Sequence, residues 1–215
     1  MKPPCHITRT AICVACLLLL VPGCDWIKAR FYISHMESGD RVAKLQVQKI
    51  VSMLDISPGI VIADIGAGSG LFTLPLAGKT GPAGTVFAAD INPELLEYIA
   101  GIKRTEKCGI VKTVLAAEND PRLPAPVDLV FFCDTLHYVA DQPGYLARLA
   151  SYVKPDGRIA IIDFTRNWPP SSNRFTTDEL VSWMRQAGFT VEAKHDFIQD
   201  EFFLLFRRKQ INAGI

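Results

Sequence analysis

An apolar segment followed by closely spaced glycines constrains this chain more than any other feature. Residues 61–70 read Val-Ile-Ala-Asp-Ile-Gly-Ala-Gly-Ser-Gly, and a second apolar run, residues 85–89, ends at Asp90. The pattern predicts a strand, a glycine loop, a helix and a second strand ending in a carboxylate, which is the first half of a nucleotide-binding α/β unit. Glycines let the backbone turn sharply and approach a ligand closely. Asp90 is then placed to accept hydrogen bonds from the hydroxyls of a ribose.

The spacing of the glycines separates two classes of ligand. Glycine stands at positions 66, 68 and 70, and Leu71 stands where a dinucleotide fingerprint has its third glycine. The pattern therefore indicates a ribose-bearing ligand other than NAD.

Strand and helix patterns alternate along the rest of the chain. One continuous helix is predicted for residues 26–54, and a capping box at Thr176 and Glu179 begins a later helix. Helices are also predicted from Gly70, from Asn92 and from Asp141 to Val153, and a turn at residues 154–157. The predicted strands are residues 60–65, 85–89, 110–115, 127–133, 158–164, 189–194 and 201–206. Because the central strands are almost continuously apolar, we expect a parallel sheet covered on both faces.

The first 24 residues form a leader that differs from the rest of the chain. An unbroken apolar run at residues 11–21 follows two basic residues and precedes Pro-Gly-Cys24. Such a run rises only about 16 Å as a helix against about 30 Å of hydrocarbon, so it suits a secretory signal better than a membrane span. Residues 21–24 resemble a bacterial lipobox, which makes Cys24 the predicted lipidation site. The alternatives are a short signal anchor, or a start assigned too far upstream with Met36 as the true initiator.

The net charge argues against a nucleic-acid partner, and the cysteine content argues against a disulfide framework or a metal site. The formal net charge is +1, and it becomes −1 without the leader. Nucleic acid is therefore not an expected partner, since domains that bind it are strongly basic. Only Cys108 and Cys133 lie outside the leader, so neither a disulfide framework nor a metal site is predicted.

Four motifs occur in a fixed order: the glycine loop of residues 64–70, Asp90, the segment Asp-Thr-Leu-His at residues 134–137, and residues 149–157 before strand five. Together they resemble the class I S-adenosylmethionine-dependent methyltransferase family, over about residues 42–208. The resemblance implies an α/β fold with a Rossmann-like, doubly wound, seven-stranded, mostly parallel sheet and an antiparallel last strand. The predicted organisation of the whole chain is a leader (1–24), an N-terminal helical lid segment (25–56), an S-adenosylmethionine-binding methyltransferase domain (57–209) and a loose tail (210–215).

The resemblance also assigns roles to individual residues. The loop glycines would cradle the methionine part of S-adenosylmethionine, with Asp64 holding the loop or the amino group. Asp90 would bind the ribose and Ile91 would cover the adenine face. The full set of expected cofactor-binding residues is Asp64, Gly66, Gly68, Gly70, Asp90, Ile91, Glu118, Asn119 and Asp134.

Two residues after strand four are candidate catalytic residues. Asp134 and His137 follow the strand at the edge from which the methyl group should emerge. An imidazole titrates near neutral pH, so His137 suits a general base. The alternative is a structural or substrate-lining histidine.

These observations predict an enzyme that moves a methyl group from S-adenosylmethionine to a small-molecule acceptor. The leader predicts attachment to the cell membrane or envelope through a lipid, or a cytoplasmic location if the start is misassigned. The alternative function is a non-catalytic protein with the methyltransferase fold that binds a ligand or partner at the cell envelope. The leader favours that alternative, because S-adenosylmethionine is made in the cytoplasm.

Overall fold

A seven-stranded sheet forms the centre of the protein, in a computed structural model that describes residues 25–106, 108–165 and 174–209. The strands are β1 Val61–Ile65, β2 Thr85–Asp90, β3 Val111–Leu115, β4 Val127–Cys133, β5 Val153–Phe164, β6 Phe189–His195 and β7 Glu201–Arg208. Their order is β3-β2-β1-β4-β5-β7-β6. Neighbouring strands are parallel except where β7 pairs antiparallel with β5 and β6. The predicted fold class is confirmed.

Helices cover the sheet on both faces, which explains the apolar strands. They are α1 Asp25–Met36, α2 Gly39–Leu45, α3 Val47–Met53, α4 Thr73–Thr80, α5 Pro93–Thr105, α6 Gln142–Leu149 and α7 Thr177–Gln186, with 3₁₀ turns at Leu136–Tyr138 and Ala150–Tyr152. Phe131 and Phe132 are consecutive in β4 and both fully buried, one in each of two hydrophobic cores. Successive side chains of a strand point to opposite faces, so both faces exclude water.

Three predicted boundaries are wrong. The helix predicted for residues 26–54 is three helices, and Gln46 takes a left-handed conformation (φ 49°) between α2 and α3. The helix after the glycine loop begins at Thr73 because Gly70 has φ +83°, which a helix cannot include. Residues 154–157 lie inside β5 as an irregularity in its pairing with β4, and α6 ends at Leu149 before β5 begins.

Two predicted helix starts are confirmed. The Asn92 side chain accepts the N–H groups of Glu94 and Leu95 at the start of α5. Thr176 and Glu179 form the reciprocal capping box of α7. The leader with Cys24, residues 166–173 and the tail 210–215 lie outside the described residues. Within the described ranges no helix is long and apolar enough to cross a membrane.

Candidate active site at the carboxyl edge of the sheet

The candidate site lies where the strand order reverses. β1 has β2 on one side and β4 on the other, and the glycine loop and the segment 134–137 follow the carboxyl ends of β1 and β4. Ligands of open α/β sheets bind in the crevice at such a switch point.

Asp90 holds the glycine loop against β2. Gly66 and Ala67 donate their N–H groups to the Ala89 carbonyl, and Gly68 donates to Asp90 Oδ2 at 2.9 Å. Asp90 Oδ1 accepts the N–H of Asn92, also at 2.9 Å. Burial raises the pKa of Asp90, and these backbone donors partly offset the rise. Each carboxylate oxygen keeps further acceptor capacity, since an ionised carboxylate has about four lone-pair positions.

The conformation of the loop requires glycine at two positions. Gly66 (φ +69°) and Gly68 (φ +56°) both occupy the left-handed region. A Cβ on Gly66 would overlap the Thr135 side chain, and one on Gly68 would lie 2.7 Å from Met36 Sδ. The loop therefore lies directly against the segment that follows β4 and against the end of α1.

Asp64 is bound to the helix that follows the loop. Its side chain is buried, and its Oδ2 accepts the Thr73 hydroxyl at 2.6 Å. Burial raises the pKa of Asp64 to about 7. Asp64 thus fixes the first turn of α4, while contact with a cofactor amino group stays a prediction.

The residues expected around an adenine lie beside Asp90. Ile91 is 58% exposed. The N–H of Ala116 donates to the Asp90 carbonyl, and Ala117 and Asp120 then close a tight turn. Glu118 and Asn119 are exposed at the tip of that turn. Their contact with a cofactor stays a prediction.

Two ion pairs attach α2 to the same edge of the sheet. Arg41 donates to Asp134 Oδ2, and Lys44 Nζ lies 2.8 Å from Glu201 Oε1. The other oxygen of each carboxylate is buried without a hydrogen-bond partner among the described residues. Burial raises the pKa of Asp134, which Arg41 opposes, and raises that of Glu201 to about 7. Asp134 also has a strained left-handed backbone (φ 52°).

His137 is paired with an acid on the neighbouring strand. Its side chain is buried, and its Nδ1 lies 2.7 Å from Asp163 Oδ1. Asp163 also accepts the backbone N–H groups of His137 and Phe164. The His137 ring packs against the rings of Tyr138 and Phe164. The ring orientation is therefore fixed from several sides.

Comparison with known proteins identifies the family. A family model described as a methyltransferase domain matches residues 56–202. The chain belongs to this methyltransferase-domain family. Nocamycin O-methyltransferase from Saccharothrix syringae is 32% identical over 59% of this chain and 45% of its own length. A ubiquinone/menaquinone biosynthesis C-methyltransferase UbiE from Cupriavidus necator is 30% identical over 64% of this chain and 58% of its own. The chain spans about half the length of the curated relatives it matches.

Solved structures share the fold of this methyltransferase domain. A SAM dependent methyltransferase from Aquifex aeolicus has a TM-score of 0.74 at 22% identity, covering 82% of this chain and 97% of that one. A 1,6-didemethyltoxoflavin-N1-methyltransferase from Burkholderia thailandensis, solved with bound 1,6-didemethyltoxoflavin and S-adenosylhomocysteine, has a TM-score of 0.65 at 21% identity, covering 98% of this chain and 94% of that one.

Sequence reasoning missed several residues of the candidate site. Asp163 near the end of β5 carries the same signal as Asp64, an acid at the carboxyl edge of a strand, so it could have been found. Glu201 opens an antiparallel strand and Arg41 lies on a helix. Neither position has a local pattern that marks it. In the part of the chain that the structure describes, no group of three His, Cys, Asp or Glu residues could hold a metal ion.

Proposed function

We propose that this chain is a class I S-adenosylmethionine-dependent methyltransferase that acts on a small-molecule acceptor. The observation that carries the proposal is the glycine loop fixed to Asp90 at the switch point of the sheet. Membership of the methyltransferase-domain family supports it.

The residues of the loop fit the cofactor. Asp90 has acceptor capacity for the ribose hydroxyls, and its backbone donors are already in place. The Ser69 hydroxyl, between two loop glycines, is buried without a partner among the described residues. A buried polar group of this kind is normally satisfied by a ligand or water. The predicted cofactor-binding set, from Asp64 through Asn119 to Asp134, is retained as part of this proposal.

S-adenosylmethionine supplies an electrophilic methyl group on a sulfonium, so the protein contributes positioning and exclusion of water. The chain has a structure suited to that role in α1 and α2. Met36 covers Gly68, and Arg41 fastens α2 to Asp134. These helices form the lid of the proposed site.

His137 is the proposed general base. Asp163 engages Nδ1, so Nε2 is the nitrogen that would take a proton from an acceptor. Asp163 would then act as a positioning residue, which fixes the ring and stabilises the imidazolium. A base is required only for acceptors, such as hydroxyls, that are not already anionic.

A small acceptor agrees with the relatives and with the charge of the site. The matched relatives carry names that refer to nocamycin and to ubiquinone and menaquinone, which are small molecules. The unpartnered oxygens of Asp134 and Glu201 offer acceptors for a polar group of the substrate. The non-catalytic alternative is less favoured, because Asp90 and the loop glycines keep the arrangement that a cofactor needs.

Calorimetry with S-adenosylmethionine and S-adenosylhomocysteine tests the proposal. We expect saturable binding by the unmodified protein and a loss of affinity in Asp90→Ala, with exposed Glu97→Gln as the matched control. Absence of binding at millimolar cofactor would refute the enzyme function. A screen with methyl-labelled cofactor against cell extracts would then identify the acceptor.

A further inference from the structure

Helix α2 holds two carboxylates at the carboxyl edge of the sheet. Asp134 follows β4 and Glu201 begins β7, with only β5 between these strands. Arg41 and Lys44 are three residues apart on α2, a spacing that places them on one side of a helix. Arg41 donates to Asp134 Oδ2, and Lys44 Nζ lies 2.8 Å from Glu201 Oε1. Asp134 and Glu201 therefore belong to one cluster, and they are called the acid pair below.

Each member of the acid pair has one carboxylate oxygen to spare. The side chains of Asp134 and Glu201 are only 10% and 2% exposed. Asp134 Oδ1 and Glu201 Oε2 are buried, and they accept no hydrogen bond from the residues that the structure describes. Burial raises the pKa of both groups. Buried oxygens normally have a hydrogen-bond partner, so a partner from outside these residues is expected.

The chemistry of the acid pair decides what that partner is. An ionised carboxylate oxygen only accepts hydrogen bonds, so a carboxylate or phosphate group has nothing to donate to it. The nearest guanidinium is already engaged, since Arg41 Nη1 donates to the Met36 carbonyl and Nη2 to Asp134 Oδ2. A hydroxyl donates one hydrogen and can satisfy only one of the two spare oxygens. An ammonium, amidinium or guanidinium group has donors for both.

The acid pair lies close to His137, the proposed general base. Phe164, the last residue of β5, pairs with Glu201 in the sheet. The Phe164 ring packs against the His137 ring, with centroids 5.5 Å apart, and Lys44 Nζ lies 5.6 Å from the centroid of the same Phe164 ring. A group bound by the acid pair is therefore separated from the imidazole by one aromatic side chain.

We propose that Asp134 and Glu201 form an acceptor subsite that binds a cationic nitrogen group of the substrate. The acid pair orients the acceptor, so that another part of the same molecule is presented toward His137. The subsite selects amines, amidines and guanidines over carboxylates and phosphates. Its role in binding the acceptor rests on the proposed function, whereas its preference for a cation rests on the acid pair alone.

Three small probes that share a phenyl ring test the subsite. Benzamidine is a cation with several N–H donors, benzyl alcohol has one neutral donor, and benzoate is an anion. Each probe is titrated into the full chain by ligand-observed NMR, with and without saturating S-adenosylhomocysteine. The variants are Asp134→Asn and Glu201→Gln, with exposed Glu97→Gln as the matched control. Thermal unfolding establishes that each variant is folded.

We expect benzamidine to bind at least tenfold more tightly than the other two probes. Asp134→Asn and Glu201→Gln should each lower the affinity for benzamidine about tenfold, the scale of one hydrogen bond to a charged group, and Glu97→Gln should leave it unchanged. An acid pair that only fastened α2 would, when changed, affect all three probes alike. The ratio of the benzamidine and benzoate affinities is therefore the deciding readout.

Two results would overturn the proposal. Equal affinities for the three probes, or no binding of benzamidine, would leave ordered water as the partner of the spare oxygens. Displacement of benzamidine by S-adenosylhomocysteine would assign the cation to the cofactor pocket instead of an acceptor subsite.

Cofactor calorimetry on the same protein separates this proposal from the proposed function. Selective binding of benzamidine without any binding of cofactor would refute the enzyme but leave the cation site intact. Cofactor binding without selectivity among the probes would do the reverse.

Discussion

The Nδ1 atom of His137 lies 2.7 Å from Oδ1 of Asp163, on the strand next to the one that His137 follows. This contact joins a residue that the sequence marked to one that it did not. It also distinguishes the two ring nitrogens, which decides where an acceptor would have to approach.

Replacing His137 by Gln should lower kcat by about 10²–10⁴, the range typical of general bases. Cofactor affinity should stay unchanged, because the glycine loop is untouched. Asp163→Asn should lower kcat less and leave KM similar. The measurement is turnover with an acceptor from the methyl-transfer screen, and full turnover by His137→Gln would establish the structural alternative.

Replacing Asp90 by Asn should lower the affinity for the cofactor about tenfold or more. Both carboxylate oxygens accept backbone N–H groups, and the NH₂ group of an amide would face one of those donors. An unsatisfied buried group costs about 1–3 kcal/mol. Calorimetry measures the affinity, and thermal unfolding shows whether the loop is lost with it. An Asn variant that binds like the unmodified protein would contradict this role.

Gly68 and Met36 should be energetically coupled. Gly68→Ala places a Cβ 2.7 Å from Met36 Sδ and in a left-handed conformation that costs about 1–2 kcal/mol for other residues. In the Met36→Ala background the contact is relieved and only the backbone cost remains. A double-mutant cycle on the free energy of unfolding should therefore give a coupling of about 0.5 kcal/mol or more. Additive effects would mean that α1 does not lie on the loop in solution.

Asp64 should make stability depend on pH. Its pKa rises from 3.8 to about 7 on folding because the charged form is buried. The folded state binds this proton more tightly than the unfolded state does. The stabilisation that the bound proton contributes is therefore complete below about pH 4 and is lost as the pH rises through about 7. Relative to that of the unmodified protein, the free energy of unfolding of Asp64→Asn should rise by about 2–3 kcal/mol between pH 5 and pH 8. Urea unfolding at each pH measures this gain, and Glu97→Gln should show none.

Much of the fold follows from local pattern, because buried parallel strands must be apolar on both faces. The exact bounds of β4 and the caps at Asn92 and Thr176 depend only on neighbours in sequence. The break at Gln46 was not predictable in that way. It depends on how α2 and α3 pack against the finished sheet.

In the candidate site, too, some residues follow from local sequence patterns and others do not. Asp90 and the loop glycines form a local motif, and they meet in space as expected. Arg41 reaches Asp134 across 93 positions of sequence. No periodicity in either segment specifies that contact, since it exists only after α2 has docked.

The position of β7 has a consequence for how the protein is made. β6 is hydrogen-bonded in the sheet only to β7, so it has no strand partner until residues 201–208 are synthesised. Glu201, which begins β7, reaches the site at that same moment and meets Lys44 from the start of the domain. A nascent chain therefore carries the complete glycine loop well before it carries Glu201, the last residue of the candidate site to be synthesised. Premature termination before residue 201 would leave a product that has the loop but lacks β7, so that β6 would have no strand to pair with.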